Sequence, residues 1–343
     1  MKIGVNASPW GDRPAGLSRY TDELVHNLAS TGMPLKFHLY TPERERLSRM
    51  VEQSAVVSGT DIPQTGSFWQ KRICWEQRYL PSLIEDSSLD IFHAPVYVLP
   101  LPHTLGFKVK TVVTVHDLIF EFRPKDYSEE ALAYLNLYVP LSLKMAHHII
   151  AISESTKQDI IDTYGIEDDR ISVIPLAAGR QFKQQPALAV QELRQAYGLK
   201  DPFILHVGSF VKRKNLPAII EAFAMIKAGG AKEKLVLAGH DARIGSCRQE
   251  ILAKITSLDL QKEVIITDYF PDRDLPKLYS AAKALIYVPA YEGFGLPPLE
   301  AMASGTPVIA ANNSALPEVV GDAALSVPAG NPFALAEAME QLL

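Results

Sequence analysis

The chain has 343 residues, 47% of them apolar, enough to bury the cores of two ordinary domains; a disordered or fibrous protein is excluded. Its 34 basic and 39 acidic side chains leave a net charge of −5, a poor balance for coating nucleic acid. The two cysteines, Cys74 and Cys247, stand far apart and outside any Cys/His cluster, so neither a disulfide framework nor a zinc site is encoded and a reducing compartment fits.

The opening MKIGVNASPW meets Gly, Asn and Pro before a signal-peptide core can build. No later stretch approaches roughly 18 uninterrupted apolar residues, so a soluble, cytoplasmic chain is expected. Residues 2–7 read as the first strand, followed by a loop with Gly11 and Gly16 and a helix whose Leu17, Tyr20, Leu24, Val25 and Leu28 share one face. The Gly11-to-Gly16 spacing matches neither GxGxxG nor GxxxxGK[ST], which withholds support from dinucleotide-binding and P-loop readings. Residues 68–84, FWQKRICWEQRYLPSLI, mix Trp69, Trp75 and Tyr79 with Lys71, Arg72 and Arg78. With Glu76 and Glu85 diluting that charge, the segment reads as a partly buried helix. The other reading is an amphipathic helix that holds an acceptor or makes a peripheral contact with anionic lipid at the inner face of a membrane.

Further strands are expected at 111–116, 148–152 and 171–174, then at 203–207, 235–238, 264–267, 284–288 and 307–310. The segment 175–202, with Gly179, Pro186, Gly198 and the polar FKQQ, reads as an interdomain connection holding at most one short helix. Strands alternating with helical segments give the fold class: α/β, with two doubly wound, Rossmann-like domains at 1–176 and 177–343. Ligands of such sheets bind outside the carboxyl ends of the strands, here expected to face one central cleft. Residues 1–175 carry 17 basic and 22 acidic side chains and the remainder 17 of each, so the second domain is the less hostile to an anion.

Chemistry-bearing residues follow the strand ends. His116 and Asp117 stand just past the 111–116 strand; a His there either bonds a sugar hydroxyl or phosphate, or is structural and bonded to a backbone carbonyl. HVGSFVKRKNLPAIIEAF places Lys212, Arg213 and Lys214 at the start of a helix, where cations oppose the dipole unless an anion arrives. Alone, the triplet reads as a solvated turn; beside a Gly-rich turn in the same domain, it reads as a diphosphate clamp. That turn is PAYEGFGLPPLEAMASG: Glu292, Gly293, Phe294, Gly295 and Leu296 lead into a helix opened by Pro297 and Pro298 and stopped by Gly305. The prolines have no N–H, so phosphate donors must come from residues 293–296 or Leu299. Glu292 and Glu300 would repel a phosphate and more plausibly accept bonds from hydroxyls on either side of it; taken alone they read as a solvated carboxylate and a helix-dipole partner. Asp272 and Asp274 of PDRDLPKLY offer a metal-like Asp-x-Asp, but Asp272 suits the N-cap of the next helix, and no metal site is expected.

Together the Glu292-GFGLPPL-Glu300 segment, VGSFVKRKN, TVHDLI, AISESTKQDI and ISVIPLA resemble the retaining glycosyltransferases of family 4, over nearly the whole chain. The resemblance implies a GT-B fold and transfer of a hexose, with retention and without a metal, from a nucleotide-diphosphate sugar (a UDP- or GDP-sugar) to a saccharide or lipid-linked acceptor in polysaccharide biosynthesis. It implies an acceptor domain at 1–176 and a donor domain at 177–343. Lys214 and Arg213 would neutralise the diphosphate, Glu300 bind the ribose and Glu292 the donor sugar. Backbone amides of Gly293, Phe294, Gly295 and Leu296 would meet phosphate and sugar, His116 would face the transferred sugar, and the Gly16 loop would close over the diphosphate. Tyr269 and Phe270, with Asp268, would lie beside the base. Ser209 follows Gly208 where relatives often carry Arg, leaving the cationic duty to Arg213 and Lys214. FALAEAMEQLL runs in a helical pattern to Leu343, where relatives continue into a helix crossing back onto the first domain; the chain is expected to lack it. The competing activities are another GT-B enzyme, such as a nucleotide-sugar epimerase or phosphorylase, and a non-catalytic sugar-binding module.

Overall fold

Short apolar runs, buried on both faces, alternate with helices along the chain and pair as parallel strands. The computed structural model describes residues 1–8, 16–42, 55–58, 65–85, 87–102, 108–241 and 245–343. Two compact units result: Met1–Glu121 with Ser128–Ile174, and Phe122–Tyr127 with Pro175–Leu343.

The first unit holds β1 (Lys2–Asn6), β2 (Lys36–Tyr40), β3 (Ala55–Ser58), β4 (Ile91–Ala94), β5 (Lys110–Val115), β6 (His148–Ala151) and β7 (Ile171–Val173), in the order β3-β2-β1-β4-β5-β6-β7. The second holds β8 (Phe203–Val207), β9 (Lys234–Ala238), β10 (Val264–Asp268), β11 (Leu285–Tyr287), β12 (Val308–Ala311) and β13 (Leu325–Val327), ordered β10-β9-β8-β11-β12-β13. Both are doubly wound parallel sheets, as the α/β pattern predicts. The order reverses between β1 and β4 in one sheet and between β8 and β11 in the other, and ligands of such sheets bind outside these points.

All nine expected strands form. The four that sequence reading left out (β2, β3, β4 and β13) are three to five residues long. Segment 175–202 contains one helix, Ala187–Ala196, and buries Phe182, Leu193 and Leu199 in the core of the second unit, against Phe203 and Tyr279. The aromatic-basic segment is indeed a partly buried helix: Ser67 and Gln70 form a reciprocal cap, Phe68–Cys74 is α-helical and Trp75–Tyr79 is a π-helical turn. Glu76 does not dilute surface charge, however. It is fully buried, paired with buried Arg72 at 3.2 Å, and bonded by the Tyr134 hydroxyl. Among the described residues no helix is long and apolar enough to cross a membrane.

Candidate functional site

In the second unit the functional residues come from the ends of β8 and β11. After β8 the chain turns at Gly208 (φ +155°), and Lys212–Lys214 form one 3-10 turn closed by Asn215 at φ +57°. The helix Leu216–Ala228 starts only then. The triplet therefore precedes the helix instead of occupying its first turn, and its members diverge: Lys212 is exposed, whereas Lys214 is 5% exposed. The Ala290 amide donates to the Arg213 carbonyl at 2.8 Å and Asn215 Nδ2 to the Val288 carbonyl at 3.3 Å, which ties this turn to the segment leaving β11.

That segment passes through the Gly-rich turn into the helix Leu296–Ala303, with Pro297 and Pro298 at its start. Gly295 sits at φ +120°, and a Cβ there would come 2.6 Å from Leu316 Cδ2, so both conformation and space demand glycine. The Ser314 hydroxyl accepts from the Glu292 amide at 3.0 Å and Asn313 Nδ2 donates to the Ala290 carbonyl at 2.9 Å, fixing the turn from β12's side.

Glu292 is the meeting point. Lys214 Nζ (2.6 Å), Arg213 Nη1 (2.8 Å) and the Tyr287 hydroxyl (3.0 Å) all donate to its Oε2. Burial pushes this carboxyl up, but the Lys214 and Arg213 cations outweigh that and hold it at about 2. Lys214 also donates to the Tyr287 hydroxyl, with Nζ 4.6 Å from the centre of that ring. Behind Tyr287 lies His206, stacked at 6.0 Å and 14°, with Nδ1 bonded to the Ile286 carbonyl at 3.1 Å. Burial lowers His206 to about 4 and keeps it neutral. Because a carbonyl only accepts, Nδ1 carries the proton; Nε2 is a buried acceptor with no partner among the described residues. Two cations thus meet on one carboxylate close to a helix N-terminus, where an anion is stabilised.

Glu300 is buried on the same helix and accepts from the Tyr279 hydroxyl at 2.9 Å. Gly293 and Leu296 lie in the turn and at the helix start, and Phe294 is buried. Ser209 lies in the turn after β8. Tyr269 and Phe270 part company: Tyr269 is 40% exposed and edge-on to His240, whereas Phe270 is a core side chain stacked on Tyr197 at 4.3 Å. Phe270 therefore offers no face beside a base. Asp272 is not the N-cap of Leu275–Ala281; Asp274 holds that position and accepts from the Tyr197 hydroxyl at 3.1 Å, because a turn closed by the Asp274 amide on the Pro271 carbonyl precedes the helix and takes up Asp272. Among the described residues no group of three His, Cys, Asp or Glu could hold a metal ion.

The first unit places His116 just past β5, buried between Tyr20 (ring centres 4.8 Å apart) and Tyr97 (5.6 Å). Its Nε2 is 2.8 Å from the Pro95 carbonyl at the end of β4, so Nε2 carries the proton and Nδ1 is the acceptor; burial holds the ring neutral, at about 4. Nε2 makes the backbone-carbonyl bond of the structural alternative, and Nδ1 remains the acceptor nitrogen of the ring. Beside it, Thr114 Oγ1 joins His93 Nε2 (2.8 Å) and the Tyr20 hydroxyl (3.2 Å). Tyr97, at φ +56°, donates to Asp117 Oδ2 at 2.9 Å. Gly16 opens the helix Gly16–Ala29; the loop before it, with Gly11, lies outside the described residues.

Tyr287, His206, Tyr279 and Tyr97 were not legible as site residues. For His206 and Tyr287 the one signal is a polar or aromatic residue in an otherwise aliphatic strand, FILHV or ALIYV, and that pattern equally suits core packing; Tyr279, on the helix Leu275–Ala281, and Tyr97, past β4, carry no such signal.

Comparison with known proteins joins the two units. The profile described as Glycosyltransferase Family 4 matches residues 14–178, and that described as Glycosyl transferases group 1 matches residues 190–343. The chain belongs to the GT-B glycosyltransferases of this group 1 and family 4 type. It is 31% identical over 238 residues to the O-antigen chain mannosyltransferase B of Escherichia coli, covering 68% of this chain and 60% of that one. A serotype-specific mannosyltransferase, WbdA, of the same organism is 35% identical over 235 residues, covering 67% of this chain and 28% of the relative. The match thus spans 60% or less of the length of these relatives. Among solved structures, a glycosyltransferase of Rickettsia africae superposes with a TM-score of 0.74 at 18% identity, over 99% of this chain and 87% of the other. HepE of Anabaena, in complex with UDP and glucose, gives 0.73 at 19%, over 99% and 89%. These structural likenesses carry the GT-B fold.

Proposed function

We propose that this family member is a retaining glycosyltransferase that moves a hexose from a UDP- or GDP-sugar to a saccharide or lipid-linked saccharide in polysaccharide biosynthesis. The observation that carries this is the convergence of Lys214 and Arg213 on Glu292 where the strand order reverses, between the ends of β8 and β11. Charge builds on the diphosphate as the glycosidic bond to it breaks. Preorganised cations and a helix N-terminus, which need no reorganisation at that moment, stabilise it.

In this reading the second unit binds the donor. Lys214 and Arg213 face the diphosphate, Glu300 the ribose, and Glu292, whose protein donors all fall on Oε2, offers Oε1 to a sugar hydroxyl. His116, neutral and with Nδ1 as its lone-pair nitrogen, accepts from a hydroxyl of the transferred sugar; the first unit holds the acceptor. The two cations take the charge-neutralising role that a divalent metal plays in other sugar-nucleotide enzymes, so turnover is independent of added metal and survives chelator. The mannosyltransferase names of the relatives and the UDP in the HepE complex support a nucleotide-sugar donor.

The test is incubation with labelled UDP- and GDP-hexoses and saccharide acceptors, with the product anomer read by NMR. A glycoside of the donor's own anomeric configuration is expected. Inversion, epimerised donor without transfer, or binding without any turnover would each replace this reading.

A further inference from the structure

Tyr287 has no part in the roles assigned so far, yet it touches two of the charged groups of the site, Lys214 and Glu292. We infer that Tyr287 is a positioning residue: its phenol holds Lys214 and Glu292 in the arrangement that receives the diphosphate, an inference that rests on the reading of the second unit as the donor site.

The polarity of the contacts leaves one assignment. A carboxylate only accepts and an ammonium only donates, so the Tyr287 O–H donates to Glu292 Oε2 at 3.0 Å while its oxygen accepts from Lys214. The hydroxyl therefore bridges the two charges in one direction. The ammonium sits at the hydroxyl end of the ring, 4.6 Å from its centre. Burial raises the Tyr287 hydroxyl well above its ordinary value, which keeps its proton available to Glu292.

Tyr287 is in turn fixed from behind. His206, fully buried, stacks on it, and the His206 ring is locked by Nδ1 on the Ile286 carbonyl. The turn after the strand packs beside both: a Cβ at Gly208 would lie in van der Waals contact with His206 Nε2 at 3.4 Å and Lys214 Cε at 3.6 Å. Among the described residues His206 Nε2 has no partner, a cost in stability borne where the ring backs the bridging tyrosine. A tyrosine that merely packed the core would need neither its hydroxyl nor this backing.

Tyr287→Phe keeps the ring and its stack and removes only the bridge. The full chain, Tyr287→Phe and Lys214→Ala are titrated calorimetrically with UDP and UMP and with GDP and GMP, using whichever pair the unaltered chain binds more tightly, with thermal unfolding in parallel. Tyr287→Phe is expected to unfold within a few degrees of the unaltered chain, to lose about tenfold of its diphosphate-over-monophosphate preference, and to bind the monophosphate unchanged, as loss of a charge-assisted contact predicts. A general packing defect would weaken both nucleotides alike. Equal weakening of both, or a full preference retained in Tyr287→Phe but lost in Lys214→Ala, overturns the inference and leaves the donor-site reading standing. A full preference retained in Lys214→Ala, or none in the unaltered chain, overturns both.

Discussion

Lys214 Nζ lies 2.6 Å from Glu292 Oε2, joining a residue of the turn after β8 to one after β11, 78 positions apart in sequence. A buried ammonium held this way is ready for an anion without further ordering, which makes it the largest single contributor to catalysis in this account. Lys214→Ala is expected to lower kcat by about 10²- to 10³-fold, the loss typical of one preorganised charge-stabilising donor. Steady-state kinetics at saturating donor, with thermal unfolding to confirm folding, checks it.

Glu292 offsets part of the charge of Lys214 and Arg213. Glu292→Gln removes that offset, so UDP or GDP alone is expected to bind several-fold tighter, while kcat with the sugar nucleotide falls by about tenfold or more as the hydroxyl contact weakens. Titration of the nucleotide beside turnover of the sugar nucleotide separates the two effects, which move in opposite directions.

Acid weakens the second unit for a reason that can be given a sign. His206 is lowered to about 4 by burial, against 6.5 when exposed, so the unfolded state takes up a proton that the native state refuses. Its contribution is complete above pH 6.5 and is lost as pH falls toward 4, on the order of 3 kcal/mol at the limit. Glu292, held at about 2, adds a loss below pH 4.5 in the same direction. Chemical denaturation from pH 7.5 to 4.5 is expected to show falling stability, with the slope reduced by about one proton in His206→Phe.

In the first unit the Arg72–Glu76 pair is buried. Glu76 also receives bonds from Tyr134 and, at 3.5 Å, from Asn6 Nδ2 at the end of β1. Glu76→Ala leaves the Arg72 cation buried without its carboxylate and is expected to cost about 3 to 5 kcal/mol, whereas Arg72→Met with Glu76→Leu recovers most of that. Urea denaturation of the two variants measures it.

The fold was readable because long, aliphatic strands such as FILHV and TVVTV and well-marked helix ends such as Pro297, Pro298 and Gly305 leave little choice. The candidate site was legible for a different reason: a basic turn and a Gly-rich turn with a preceding carboxylate follow two strands, β8 and β11, of one sheet. What stayed hidden depends on contacts far apart in sequence. Nothing near Tyr287 announces that Lys214, 73 positions earlier, bonds its hydroxyl, and nothing near Glu76 announces Asn6. Phe270 and Glu76 were misplaced for the same reason, since burial is decided by what packs on a segment and periodicity alone does not disclose it.

A crystal structure of the complex with UDP or GDP tests the central claim most directly. The account predicts the β-phosphate within hydrogen-bond distance of Lys214 Nζ and the Arg213 guanidinium, in front of the helix that begins at Leu296. A diphosphate bound away from these side chains, or one held by a divalent ion while Lys214 stays turned to Glu292, would contradict it.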